Sequence, residues 1–316
     1  MAELRPELLA SDVADTPAWL HRVVDAHEDI DPLALEARRV LFIGMGSSRY
    51  AALNAAAYLR SLGRDAHAEH ASTGSPQPAE PGLLVVAVSA GGGSRETIAA
   101  ARRHRGTSTV LGVTNRPDAA LAAEVDTCLE LHAGEERSGV ACRSSTNTLA
   151  LLLLLCGIDA ARVRAGADAS GAVIDTTDGW LGPAADLVGR PAIHVLAPAE
   201  RIGSAEQSAL MLREVPRVRA DACETGDWSH VDVYLSKLPG LGIVLLRGSA
   251  WEAEVLDWAT ARGCPVATVG GPLPGGALDI PVPGGDDPVV RMLAEVRVCE
   301  LLAAELHVRH GDRLST

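Results

Sequence analysis

Residues 39–52 read RVLFIGMGSSRYAA, and residues 192–205 read AIHVLAPAERIGSA. Each is a short apolar run, a turn of small residues, then the small-residue start of a helix. A strand leading directly into a helix is the opening of a βα unit, and here it heads each half of the chain. Working outward from the first, Leu83–Ser89, Thr107–Thr114 and Asp126–His132 read as further strands. Between them Tyr50–Leu62, Ser94–Arg105 and Pro117–Val125 carry Ala-rich apolar faces at helical spacing. Strands that are continuously apolar, rather than alternating, are buried on both faces, which predicts a parallel sheet covered by helices. A helix over Ser144–Gly157, extended to Ala165, closes the first half.

The second half repeats the pattern. Ala192–Ala197, Gly242–Arg247, Pro265–Val269 and Leu278–Val282 read as strands, and Gly203–Val215, Ser249–Arg262 and Pro288–Arg309 as helices. The join is placed within 168–190, where Gly171, Thr176, Asp178, Gly179, Gly182 and Pro183 collect. The expectation is two α/β domains, 1–167 and 168–316, each a three-layer α/β/α sandwich with right-handed crossovers.

Length and charge bound the function. At 316 residues there is room for two domains, and with one Phe, three Tyr and five Trp the cores must be built from Ala, Val and Leu. A formal charge of −13 argues against nucleic acid as a partner. It does not argue against a small anion, because a few backbone amides hold a phosphate whatever the net charge. The N-terminal stretch carries Glu3, Glu7, Asp12 and Asp15, unlike a signal peptide. The longest apolar run, Leu149–Ile158, falls short of the roughly 20 residues that span a bilayer. Six dispersed cysteines without a C-x-x-C pair read as reduced core thiols, so a cytoplasmic protein without membrane contact is expected.

Two loops carry the first chemical signal. Gly44-Met45-Gly46-Ser47-Ser48 and Ser89-Ala90-Gly91-Gly92-Gly93-Ser94 each follow a strand and enter a helix. In a parallel sheet both emerge at the carboxyl edge, where ligands bind. Glycines let amides turn inward, hydroxyls donate, and the helix dipole favours an anion. Either loop alone also reads as a tight turn, with Ser94 capping its helix. Two such loops at neighbouring strand ends point to a phosphate monoester. Nucleotide motifs fit poorly: Arg49 stands where G-x-G-x-x-G needs its third glycine, and G-x-x-x-x-G-K-[ST] is absent.

In the second half, Arg213, Glu214, Asp221, Glu224, Asp227 and His230 crowd into a short segment. Glu214, stopped by Pro216, reads either as a solvated helix-end residue or as a partly desolvated base with a raised pKa. His230 follows a Gly-Asp-Trp-Ser turn and reads either as an exposed loop residue or as an acid–base group.

The ordered set GMGSSRYAA (44–52), AVSAGGGSRETIAAA (87–101), VTNRPDAALAAEVD (113–126) and SGVACRSS (138–145) resembles the first sugar-isomerase (SIS) domain of the glucosamine-6-phosphate synthase group. ALMLREVPRVRADACETGDWSH (209–230) is similar to the second domain's catalytic segment. The resemblance covers the chain from about Arg39 onward and implies tandem SIS domains with parallel, flavodoxin-like sheets. By position it implies phosphate-binding roles for Ser48, Ser89 and Ser94, with the backbones of Gly46 and Gly91. It implies that Glu214 moves the proton at a sugar's C2, and that His230 assists ring opening from the partner subunit of a homodimer. Ser47, Arg143 and Arg213 are further substrate-contact candidates, and no metal or organic cofactor is implied.

The departures are specific. Met211 stands where the group has a lysine, Ala90 and Gly91 replace Gln and Ser of the S-Q-S-G loop, and Val231 replaces the glycine after the histidine. Lys237 is the only lysine, and neither a glutaminase domain nor the group's lysine-bearing tail is matched. The synthase reaction is therefore not expected. What remains is proton abstraction from an open-chain 6-phosphosugar, with an amino sugar favoured and isomerisation, deamination or dehydration as the outcomes. A non-catalytic sugar-phosphate sensor is the alternative.

Overall fold

A computed structural model describes residues 4–311, so Met1 and Thr316, the outer ends of the two expected domains, lie outside the described residues. In chain order the helices are α1 (Leu9–His27), α2 (Leu33–Glu36), α3 (Ser47–Ser61), α4 (Arg95–His104), α5 (Arg143–Leu155), α6 (Ala160–Asp175), α7 (Thr177–Val188), α8 (Ile202–Glu214), α9 (Thr225–Trp228), α10 (Glu252–Arg262), α11 (Pro288–Ala294) and α12 (Val296–His310). The strands are β1 (Arg39–Gly44), β2 (Asp65–His70), β3 (Leu83–Val88), β4 (Thr109–Thr114), β5 (Thr127–Glu130), β6 (Ala192–Ala197), β7 (Arg219–Glu224), β8 (Leu241–Leu246), β9 (Val266–Val269) and β10 (Leu278–Ile280). The chain divides into two units: residues 18–135 with 143–164, and residues 165 onward with the segments before Ala18 and over 136–142.

In the first unit the parallel sheet has the order β2-β1-β3-β4-β5. Leu41 and Ile43 of β1 pack with Val85 and Ala87 of β3 under Ala100 and Ala101 of α4. α3 covers β1 and β2 from the side that also carries α5. All six residues of β3 are buried, as expected of a central strand sealed on both faces. The chain moves from β1 to one side and from β3 to the other, so a crevice opens between their carboxyl ends.

The second unit repeats the arrangement. Its order, β10-β9-β8-β6-β7, is the first sheet's read from the other edge, and its crevice lies between β6 and β8. One face packs Val195, Ala220 and Val244 against Ala205, Ala209, Met211 and Leu212 of α8 and against α7 and α12. The other packs Leu196, Cys223, Ile243 and Leu245 against Trp228, Val255 and Leu256. Both units are three-layered α/β sandwiches on parallel sheets.

Four expectations change. β2 and β7 were not anticipated: each alternates Ala with polar residues, the pattern of an edge strand wetted on one face. The segment Pro117–Val125 forms only a 3-10 turn over Ala120–Glu124. The helix from 144 does not reach Ala165, because Gly157 adopts φ +83° with Leu35 packed against it, and a separate α6 begins at Ala160. Most of 168–190, the Gly-, Thr- and Pro-containing stretch within which the join is placed, is helical in α6 and α7. No helix among the described residues is long and apolar enough to cross a membrane.

Candidate active site

The carboxyl ends of β1 and β3 deliver the two glycine loops side by side. Gly46 sits at the N-cap of α3 with φ +50°, and no side chain caps that helix. The first amides of α3 therefore have no intrahelical partner, and no acidic residue lies in its first turn. A Cβ at Gly46 or at Gly91 would meet nothing within 4 Å, so the space above both loops is open. Ser47 and Ser48 are half-buried in the first turn of α3.

Ser89 is buried at the end of β3, and its Oγ accepts the amide of Ser94 at 3.4 Å. Gly92 closes the loop between them, donating to the Ser89 carbonyl at 2.8 Å with φ +64°. Ser94 is the N-cap of α4: its Oγ accepts from the Thr97 amide at 3.3 Å, and its hydroxyl donates to Glu96 at 3.1 Å. A backbone amide and then this hydroxyl hold the Glu96 carboxyl below its usual range. The α4 terminus is thus already satisfied by a carboxylate, whereas the α3 terminus is open. A phosphate suits the α3 amides, with Ser89 and Gly91 alongside.

Arg143, the first residue of α5, is buried; it donates to the Glu135 carbonyl and lies 5.5 Å over the Trp19 ring. Arg213 donates to the Ala220 carbonyl at 2.6 Å. Both guanidiniums are therefore engaged within their own units.

Glu214 is the last residue of α8 and is half-buried. Burial pushes its carboxyl above the ordinary value, against the opposing pull of Arg213 and Arg217. No described residue donates a hydrogen bond to it. That is the environment of a carboxylate kept reactive. Met211, one turn earlier, is fully buried in the core under the sheet, so the position where the resembled group has a lysine faces no solvent. His230 is exposed after α9, with its amide on the Asp227 carbonyl at 2.9 Å. α8 covers one face of the second sheet and α9 the other, so Glu214 and His230 are carried by opposite layers.

Sequence reasoning missed how the second crevice, between β6 and β8, is filled. Gly248 and Ser249, at the loop after β8, give their amides to the Glu252 carboxylate, which also pairs with Arg247 at 3.0 Å. Arg201 is buried against Glu295 and the Arg247 carbonyl. The Glu252 carboxylate satisfies the loop after β8, as Glu96 does at the start of α4. The Ser249-x-x-Glu252 spacing is the local signal that could have found it. Elsewhere, Asp12, Glu136 and Cys142 lie close enough to share a metal ion. Asp12, however, accepts from Arg137 at 2.8 Å and from the Ser138 amide at 2.7 Å, and burial holds the Cys142 thiol well up. It is an ion-paired core group.

Residues 35–156 match the SIS domain family model. Glutamine–fructose-6-phosphate aminotransferase [isomerizing] from Aeropyrum pernix is 30% identical over 297 residues, 84% of this chain and 47% of that protein. The chain spans about half the length of the curated relatives it matches. Among solved structures, tagatose-6-phosphate ketose/aldose isomerase from Escherichia coli superposes with a TM-score of 0.82 at 18% identity, covering 95% of this chain and 92% of that one. Glucosamine-6-phosphate deaminase from Thermotoga maritima does so with a TM-score of 0.77 at 19% identity, covering 97% and 95%. The chain is a SIS-domain protein. It has the double SIS fold and resembles the isomerase part of the aminotransferase and the phosphosugar isomerases.

Proposed function

We propose that this protein abstracts the C2 proton of an open-chain sugar 6-phosphate, with an amino-sugar phosphate as the favoured substrate. The observation that carries the reading is Glu214, a half-buried carboxylate whose pKa is raised by burial and to which no described residue donates a hydrogen bond. The open α3 terminus with Ser48, Ser89 and Gly91 binds the phosphate; Ser94 shapes the second loop. Glu214 takes the C2 proton, and the C–H electron pair forms the enediol or enolamine. Return of the proton at C1 gives aldose–ketose isomerisation. From an amino sugar the same shift and hydrolysis release ammonia; from an N-acetylated sugar the 3-hydroxyl leaves.

His230 serves ring opening from the second copy of a homodimer. Its place on the layer opposite Glu214 supports this, as do Val231 and Tyr234, 56% and 64% exposed beside it. Six free cysteines suit a cytoplasmic setting. A binding-only sensor is the rival reading, and the buried Met211 favours it. Proton NMR in deuterated buffer with fructose-, glucosamine- and N-acetylglucosamine-6-phosphate separates the two. Exchange at C2 of the two amino sugars, exchange at C1 of fructose 6-phosphate, or product formation supports the enzyme, and the product names the branch. Binding of these sugars without any exchange supports the sensor.

A further inference from the structure

A cavity of about 460 Å³ opens at the amino edge of the second sheet, the edge opposite the one where βα loops present ligands. It is lined by His194, Arg217, Arg219, Asp221, Leu235 and Leu238 and lies on the α9 layer, away from α8. Its size is that of a small-molecule pocket.

The polar groups converge on it in a defined way. His194 of β6 and Asp221 of β7 are register neighbours and project from the same face. The His194 ring is 3% exposed, and its Nδ1 accepts the Trp228 indole N–H at 2.9 Å. An indole only donates, so Nδ1 holds the lone pair and the neutral ring carries its hydrogen on Nε2. Burial favours that neutral ring, against the pull of Asp232 and Asp221. No described residue accepts from Nε2, which leaves a fixed donor at the cavity wall.

Arg217 adopts φ +59°, in the left-handed region that favours glycine. Neither its guanidinium nor that of Arg219 hydrogen-bonds to a described residue. A strained arginine beside a second unengaged arginine, an oriented imidazole N–H and two half-exposed leucines is the composition of a ligand site. Leu235 and Leu238 are 44% and 62% exposed.

We propose that this cavity binds a second ligand, a phosphate monoester with an apolar or aromatic body. The phosphate sits on Arg217 and Arg219, His194 Nε2 donates to the ligand, and the body lies against Leu235 and Leu238. Asp221 accepts from a ligand hydroxyl or amine. The site holds whether or not Glu214 is a base.

Trp228 is a built-in reporter. In a nitrogen–proton correlation spectrum its indole cross-peak, assigned with Trp228→Phe, is followed during titration with phenyl phosphate, inorganic phosphate and fructose 6-phosphate. Phenyl phosphate shifts the peak saturably, and inorganic phosphate does so at least about ten-fold more weakly. Arg217→Gly and Arg219→Ala each weaken phenyl phosphate about ten-fold, one lost charge-assisted contact. Arg217→Gly, freed of the left-handed side chain, unfolds at or above the wild-type temperature. An unmoved Trp228 peak overturns the proposal. So does an unchanged curve in the Arg217→Gly, Arg219→Ala double variant, or full competition by fructose 6-phosphate, which would place the probe in the glycine loops.

Discussion

Gly91 and Gly92 are chemically identical neighbours, yet the fold assigns them opposite consequences when a methyl group is added. At Gly92 the backbone is left-handed (φ +64°), and a Cβ would stand 2.5 Å from Ala119 Cβ, 2.9 Å from Thr114 Oγ1 and 3.2 Å from the Arg116 carbonyl. None of these is the far end of a flexible side chain. Left-handed strain of about 1–2 kcal/mol adds to an overpacking cost of about 1–3 kcal/mol, so Gly92→Ala loses about 2–5 kcal/mol of stability. At Gly91 a Cβ meets nothing within 4 Å and the backbone needs no glycine, so Gly91→Ala stays within about 0.5 kcal/mol of wild type. Its methyl, however, projects into the space assigned to phosphate, and affinity for fructose 6-phosphate falls about ten-fold or more. Urea unfolding gives the stabilities and isothermal titration the affinities. If the two variants are equally stable, the loop conformation is wrong. If Gly91→Ala binds the sugar phosphate as wild type does, the phosphate does not lie against this loop.

Three further expectations follow from named groups. Because burial raises the Glu214 pKa, kcat/KM falls as pH drops through a value above that of an ordinary glutamate; an acid limb at or below the ordinary value counts against Glu214 as the base. Arg201→Ala strands Glu295 in the core and costs about 3–5 kcal/mol. The folded-state pKa of Glu295 is raised by burial, so its contribution to stability is present in acid and lost as pH rises through that value; removing Arg201 raises it further. The Arg201→Ala deficit is therefore largest at neutral pH and shrinks in acid, and an equal deficit at both, measured by denaturation, refutes the pairing argument. Mixing inactive Glu214→Gln and His230→Ala proteins regenerates about a quarter of wild-type activity if each site draws one residue from each copy, and none if it does not.

How far the sequence reveals this protein depends on which faces are dry. Leu83–Val88, Ala192–Ala197 and Leu241–Leu246 are legible because both faces are buried, and an apolar run interrupted at most by His194 has no other economical use in an α/β chain. Asp65–His70 and Arg219–Glu224 are not legible, since an edge strand with one wet face carries half the signal and His, Glu and Arg dilute it. Gly171, Gly179 and Gly182 mimic a linker but lie within helices; at Gly171 a Cβ would only touch Pro17. The glycine loops and Glu214 stand out as local patterns, one of amide geometry and one of a charge ending an apolar helix. The Glu252 contacts are local, with Ser249 three residues before the glutamate, whereas the cavity around His194 assembles residues from separate strands and has no local signature.

The central claim is that Glu214 moves the C2 proton of a bound sugar phosphate, and the most direct test is solvent deuterium incorporation at C2 by wild type and Glu214→Gln. Wild type is expected to exchange the proton, and the variant to do so about 10²- to 10⁴-fold more slowly while keeping its phosphosugar affinity within a few-fold. Equal exchange by both proteins, or none by a wild type that still binds the sugar, would contradict the account.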